Sequence, residues 1–215
     1  MKVYIKGNPI PNATSYKLFE KIVAGKQSAN LIEIDGESNT SYYVDYTVNA
    51  DGSITTDGTA IGGASFFIVY SGDVSLPKGT YYLTGCPTGG SKSTYRLIME
   101  YGTGNDLIKI YDTGSGASFT LSEPKNQSMT VYIRAENETP MENRLFKPMV
   151  SASRDAEFGS TVDVVTYNKL SEKTTIDFEV SAMGLETGAH TLVVKATANG
   201  YDDSDYSNEV TYTQT

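Results

Sequence analysis

Tyr95-Arg96-Leu97-Ile98-Met99-Glu100-Tyr101 alternates with a period of two: Tyr95, Leu97, Met99 and Tyr101 fall on one side, and Arg96, Ile98 and Glu100 on the other. That period belongs to a β-strand, in which successive side chains point to opposite faces. The same signal recurs outward from this stretch. Residues 42–48 alternate, Asn49-Ala50-Asp51-Gly52 turns the chain, and residues 53–55 resume. Residues 66–70 form a dense apolar run, and Pro77-Lys78-Gly79 leads into residues 80–85. Residues 107–111, 118–121, 130–135 and 145–150 complete a series of about eight to ten strands between Asn30 and Val150, at the spacing of an all-β sandwich or barrel. That number suits a jelly roll. Helical periodicity is hard to find anywhere in the chain.

The flanks carry a second set. Residues 162–167, 174–180, 190–198 and 209–213 read as four strands, too few for a seven-stranded immunoglobulin-like sandwich of about 100 residues. Residues 1–6 and 15–21 are strand-like and do not continue into the central series. The expectation is therefore a discontinuous domain: residues 1–25 plus 158–215 form a smaller sandwich, and residues 26–157 are inserted into it. Insertions succeed at exposed loop tips, and domain termini often lie close together. The alternative is two domains in series with an N-terminal arm. Pairing of residues 15–21 with a strand beyond residue 158 separates the two.

With 215 residues there is room for one large or two ordinary domains. The hydrophobic share of 39% is enough for packed cores, and 16 Tyr, 7 Phe and 20 Gly with no Trp fit a strand-and-turn protein. The net charge of −9, without a Lys/Arg cluster, argues against nucleic acid and against an anionic membrane surface. No run approaches transmembrane length, and the start of the chain does not read as a signal peptide, so no membrane insertion is expected. One cysteine excludes an internal disulfide, and one histidine leaves no Cys/His zinc spacing. No cofactor and no metal are expected. Asn-X-Ser/Thr triplets occur at Asn12, Asn39, Asn126 and Asn137, a frequency natural to an Asn- and Thr-rich chain.

Residues 188–198, with Gly200-Tyr201-Asp202-Asp203-Ser204-Asp205-Tyr206-Ser207-Asn208, resemble the last two strands of fibronectin type III-like repeats. Asn12-Ala13-Thr14-Ser15-Tyr16-Lys17-Leu18-Phe19 resembles an earlier strand of the same repeats, which places its two halves at opposite ends of the chain. Residues 74–83, the Gly85-Cys86-Pro87-Thr88-Gly89-Gly90-Ser91 segment, Tyr132-Ile133-Arg134 and residues 145–149 are similar to a module of prophage tail and surface proteins shaped like carbohydrate-binding jelly rolls. The resemblance implies a virion or an extracellular, cell-surface location. It is specific for module type rather than for ligand, because such modules bind sugar or merely pack.

The reactive side chains favour structural roles. His190 precedes Leu192, Val194 and Ala196 in strand alternation, and no oriented nucleophile accompanies it. Cys86 has no flanking cation to activate it and reads as a small packed thiol. The glycine-rich residues 85–94 lack the Gly-Lys step of a phosphate loop and lead into a strand instead of a helix. Asp202, Asp203 and Asp205 lack the glycine and distal glutamate of a calcium loop and read as a hairpin. Asp51-Gly52 and Asp57-Gly58 read as hairpin turns. Glu100, Asp106 and Asp112 carry no sign of a paired-carboxylate glycosidase site.

The polar faces of the central strands are the candidate binding surface. Tyr43 with Asp45, Arg96 with Glu100, and Tyr132 with Arg134 fall opposite the apolar sets. Aromatic rings stack on sugar C–H faces, and planar charged groups bond sugar hydroxyls, so Tyr43, Arg96, Glu100, Tyr132 and Arg134 are the expected glycan contacts. Absence of Trp counts against a sugar, although Tyr can substitute. The alternative is a solvated face with cross-strand ion pairs. The functional expectation is a non-catalytic phage tail, virion or cell-surface structural protein whose partners are a glycan and other structural or surface proteins. Its rivals are an architectural spacer without a ligand and a fragment of a glycan-active enzyme.

Overall fold

Seventeen strands form among the residues described, 2–34, 36–201 and 203–215, in a computed structural model. They are β1 (Tyr4–Lys6), β2 (Ser15–Ser28), β3 (Asn39–Ser41), β4 (Val44–Val48), β5 (Ile54–Gly58), β6 (Ser65–Leu76), β7 (Gly79–Thr84), β8 (Tyr95–Tyr101) and β9 (Ile108–Asp112). After these come β10 (Ala117–Leu121), β11 (Lys125–Ala135), β12 (Arg144–Phe146), β13 (Met149–Ser151), β14 (Thr161–Lys173), β15 (Asp177–Glu179), β16 (Gly188–Thr197) and β17 (Val210–Gln214). Two short 3-10 turns, Gly104–Asp106 and Val180–Ala182, are the helical elements among the described residues. Every strand pair whose register is resolved is antiparallel, and the protein is an all-β sandwich. No helix among the described residues is long and apolar enough to cross a membrane.

The chain divides into two compact units: Met1–Gln27 with Asp163–Thr215, and Ser28–Val162. In the terminal unit one sheet has the order β14-β2-β16-β17, and a second sheet pairs β1 with β15. Residues 15–21 run antiparallel to 191–197, with Ser15 opposite Thr197 and Lys21 opposite Thr191. Both sheets feed one core: Tyr16 and Leu18 from β2, Leu192 and Ala196 from β16, and Phe178 from β15. The expected strand at residues 174–180 is shorter than its pattern, because β14 extends to Lys173 and the 3-10 turn takes over at Val180.

The central unit holds three sheets, ordered β6-β11-β8-β9, β12-β5-β4-β3 and β10-β7-β13. Their inward side chains share one core that includes Val44, Tyr46, Phe67, Leu83, Leu97, Met99, Val131 and Phe146. Burying each such large apolar side chain contributes roughly 1.5–3 kcal/mol. A bulge tunes β6. Val131 lies opposite Tyr70 and Tyr132 opposite Ile68, so Val69 is the extra residue of β6. Phe67 and Val69 point into the core before the bulge, and Tyr70, Val74 and Leu76 after it. The extra residue flips the alternation, which is how two neighbouring apolar residues both face inward.

Asp112 closes β9 with a fully buried carboxylate. Its Oδ1 accepts the backbone N–H of Gly114 and of Gly116, each at 2.8 Å, and its Oδ2 accepts that of Cys86 at 2.9 Å. These charge-assisted bonds offset the cost of burying the charge and set the 113–116 turn against the loop at residue 86.

Two turn expectations fall differently. Asp51-Gly52 does form the turn between β4 and β5, with Asp51 accepting the Ser53 N–H at 2.9 Å. Asp57-Gly58 is no hairpin turn, since it ends β5 with Gly58 opposite Val44. Gly58 has φ +95°, and a Cβ there would lie 2.3 Å from the Tyr43 carbonyl oxygen, so the position excludes any side chain.

Candidate functional site

The outer face of the sheet β6-β11-β8-β9 follows from alternation. Tyr95, Leu97, Met99 and Tyr101 of β8, and Met129, Val131, Ile133 and Ala135 of β11, are buried inward. Arg96, Ile98 and Glu100, and Thr130, Tyr132 and Arg134, are left on the other side. Register arranges them in rows. Phe66, Arg134 and Arg96 stand side by side. Ile68, Tyr132, Ile98 and Tyr111 form the next row, and Thr130, Glu100 and Lys109 the third. The sheet thus brings together Arg96, Glu100, Tyr132 and Arg134.

Tyr43 is not among them. It occupies, with Tyr42, the two-residue turn between Ser41 and Val44 that joins β3 to β4, and it is 72% exposed. Both residues have positive φ, 47° for Tyr42 and 66° for Tyr43. A right-handed sheet twist favours this mirror-image turn, which glycine and asparagine usually occupy, so two tyrosines there carry backbone strain. The strand alternation runs through residues 44–48 and stops short of Tyr43.

Most charges of the face are engaged with one another. Arg96 and Arg134 lie directly opposite, an unfavourable pairing in isolation. Glu136 resolves it: its Oε1 lies 2.6 Å from Arg96 Nη2 and 2.8 Å from Arg134 Nε, and its Oε2 accepts from Arg134 Nη2 at 3.1 Å. Burial pushes the Glu136 carboxyl up, but the two guanidinium groups outweigh it and hold the group below its usual value. Arg96 also donates from Nη1 to the Lys92 carbonyl at 2.7 Å, and its side chain is only 8% exposed. In the third row Lys109 donates to Glu100, Tyr132 donates to Glu100 at 2.9 Å, and Lys109 reaches the Tyr132 hydroxyl at 3.3 Å. The Lys109 hydrogen bond lowers the Glu100 pKa, and the same bond raises that of Lys109. Burial, then Glu100, raises that of the Tyr132 hydroxyl.

What this face leaves open is its apolar margin on the edge strand. Phe66 and Ile68 are 42% and 56% exposed. Arg134 lies over the Phe66 ring at 4.9 Å and fixes it. A groove of about 550 Å³ runs there, with Phe66 and Ile68 against Glu37, Ser38, Asn39 and Ser71. Sequence reading missed both apolar residues, because residues 66–70 are apolar on both faces and no alternation distinguishes inside from outside.

The reactive groups are held elsewhere. His190 Nε2 lies 2.8 Å from the Glu186 carbonyl oxygen and Nδ1 lies 2.6 Å from Glu20, so both nitrogens face acceptors. That arrangement favours the doubly protonated ring, and the Glu20 bond, then the Glu186 carbonyl, raises the pKa above 6.5. Burial, then the Asp112 charge, pushes the Cys86 thiol up to about 12, which leaves it un-ionised and inert. The glycine-rich residues 85–94 form turns that lead into β8. Asp202 lies outside the described residues, and Asp203 pairs with Lys17 at 3.2 Å. No group of three or more His, Cys, Asp or Glu among the described residues is placed to hold a metal ion. Compared with family models, with curated proteins and with solved structures, the chain matches none.

Proposed function

We propose that this chain is a non-catalytic structural protein of a virion or cell surface that binds a glycan through its central unit. In this reading the central unit is a carbohydrate-binding-like jelly roll, and it is inserted into a fibronectin III-like domain made by both ends of the chain. The carrying observation is the groove on β6, where Phe66 and Ile68 offer apolar surface beside the polar Glu37, Ser38 and Asn39. A sugar presents the same duality, with apolar C–H faces and a rim of hydroxyls. Tyr132 and Arg134 flank the groove, and Arg134 positions the Phe66 ring. Glu100 and Arg96 act beneath and beside them as supports, since Glu100 accepts from Lys109 and Tyr132, and both Arg96 Nη groups already donate to protein partners.

A glycan array with the whole chain tests this, followed by titration of each hit against Phe66→Ala, Tyr132→Ala and Arg134→Ala. Phe66→Ala is expected to weaken binding about tenfold, the worth of one stacked aromatic ring at roughly 1–1.5 kcal/mol. Glycan binding indifferent to all three changes would move the site off this face. No binding to any glycan would favour the architectural spacer. Turnover of a polysaccharide would favour the enzyme reading.

A further inference from the structure

The outer face of the sheet β10-β7-β13 holds a cavity of about 280 Å³, lined by Tyr82, Thr84, Ser115, Gly116, Ser118 and Arg154 among others. It belongs to a different sheet from the groove on β6 and does not depend on that site. Alternation puts Tyr81 and Leu83 of β7 and Phe119 and Leu121 of β10 into the core, which turns Tyr82, Thr84 and Ser118 outward. Tyr82 lies opposite Ser118 on one side and Ser151 on the other. The turn that supplies Ser115 and Gly116 is pinned from below by buried Asp112, which accepts the Gly116 N–H at 2.8 Å. Gly116 has φ +76°, and a Cβ there would press on the Thr84 methyl group at 3.3 Å.

The chemistry of this cavity differs from that of the paired face on β6-β11-β8-β9. Among the described residues, neither the hydroxyls of Tyr82, Thr84, Ser115 and Ser118 nor the guanidinium of Arg154 bonds another protein group. No carboxylate lines the cavity. One cation therefore stands beside four uncommitted hydroxyls and one aromatic ring. The volume lies just below the roughly 300–1,000 Å³ range of small-molecule sites, enough for one ring rather than a chain.

We infer that this cavity binds a single acidic sugar residue, its carboxylate on Arg154 and its ring hydroxyls on the serine and threonine hydroxyls. The guanidinium fork matches a carboxylate with two parallel N–H···O bonds. The hydroxyls act as donor or acceptor, as a ring bearing several hydroxyls requires. Tyr82 supplies the apolar contact for the ring. A single cation with no opposing acid selects one negative charge.

Nuclear magnetic resonance titration of the full chain tests the assignment, with methyl glucuronide, N-acetylneuraminic acid, methyl glucoside and inorganic phosphate as probes. Shifts are expected at Tyr82, Ser115, Ser118 and Arg154 with at least one of the two acids. Methyl glucoside is expected to bind several-fold more weakly than methyl glucuronide, and Arg154→Gln to remove that preference, because only the acid pairs with the exposed guanidinium. Arg154 is exposed, so its replacement leaves the core intact. Glucoside binding equal to glucuronide would overturn the inference. So would binding of both acids undiminished in Arg154→Gln, shifts with phosphate alone, or no shift at these residues with any probe. Binding at the β6 groove is unaffected by Arg154→Gln, so failure here and failure of the groove are read separately.

Discussion

The central unit carries two polar surfaces built from similar residue types, and they differ in what their charges already do. On the sheet β6-β11-β8-β9, Arg96 and Arg134 share Glu136, and Glu100 shares Lys109 with Tyr132. On the sheet β10-β7-β13, Arg154 and the hydroxyls around it have no protein partner among the described residues. A ligand that displaced one bond of the paired network would forfeit about 1.5–3 kcal/mol of charge-assisted hydrogen bonding before gaining any. A ligand at Arg154 displaces only water. The presence of Arg, Glu and Tyr on a face therefore says little about binding until their partners are known. On the reading proposed above, the paired face would bind through its apolar margin, and the unpaired cavity through its charge.

The largest expected effect breaks the cavity from beneath. Asp112→Ala removes the acceptor of three N–H groups, the Cys86 one buried and the Gly114 and Gly116 ones part-buried, and should destabilise the protein by about 3 kcal/mol in urea denaturation. Asp112→Asn keeps one acceptor oxygen and should lose less. Equal stability of Asp112→Ala and the wild type would mean that the turn at residues 113–116 is held by something else.

A smaller effect is expected on the paired face. Glu136→Ala leaves Arg96 and Arg134 opposite each other, with Arg96 nearly covered, and should cost about 2–3 kcal/mol by the same measurement. Resonances of Tyr82 and Arg154 should stay in place in this variant, since those residues belong to a separate sheet. Their movement would show that the two surfaces are coupled.

The smallest effect is a pH dependence that sharpens the contrast. The Glu100 pKa is depressed by Lys109, so the stability it contributes is present above the ordinary carboxylate value of 4.5 and is lost as pH falls through the folded value. The His190 pKa in the terminal unit is raised by Glu20, so its contribution is full below 6.5 and is lost as pH rises through the folded value. Hydrogen exchange resolved by residue between about pH 3 and pH 9 should show protection falling at opposite ends of the range, in acid around β8 and β9 and in base around β16. The preference of the Arg154 cavity for an acidic over a neutral sugar is expected to be unchanged above about pH 5, where a sugar carboxylate is ionised.

Much of the fold is legible in the chain. The alternation at residues 95–101 and 130–135 places the buried and outward side chains of β8 and β11 where the structure has them. The face that unites Arg96, Glu100, Tyr132 and Arg134 follows from the same alternation. Tyr43 does not join them, because the pattern at residues 42–48 continues smoothly into a turn whose strained backbone leaves no mark in hydropathy. Asp57-Gly58 has the pattern of a turn, whereas Gly58 serves to admit the Tyr43 carbonyl. Phe66 and Ile68 were hidden in an apolar run, and the bulge at Val69 decides which of its residues face outward.

The division has a physical reason. Strand alternation is a property of the local backbone, so composition and period-two patterning alone establish an all-β protein with its cores and outward faces. Which charge meets which partner is non-local, because register and bulges bring residues together across the sheet. Glu136 beside two arginines, His190 between Glu20 and the Glu186 carbonyl, and Arg154 with none of these attachments are therefore products of tertiary structure.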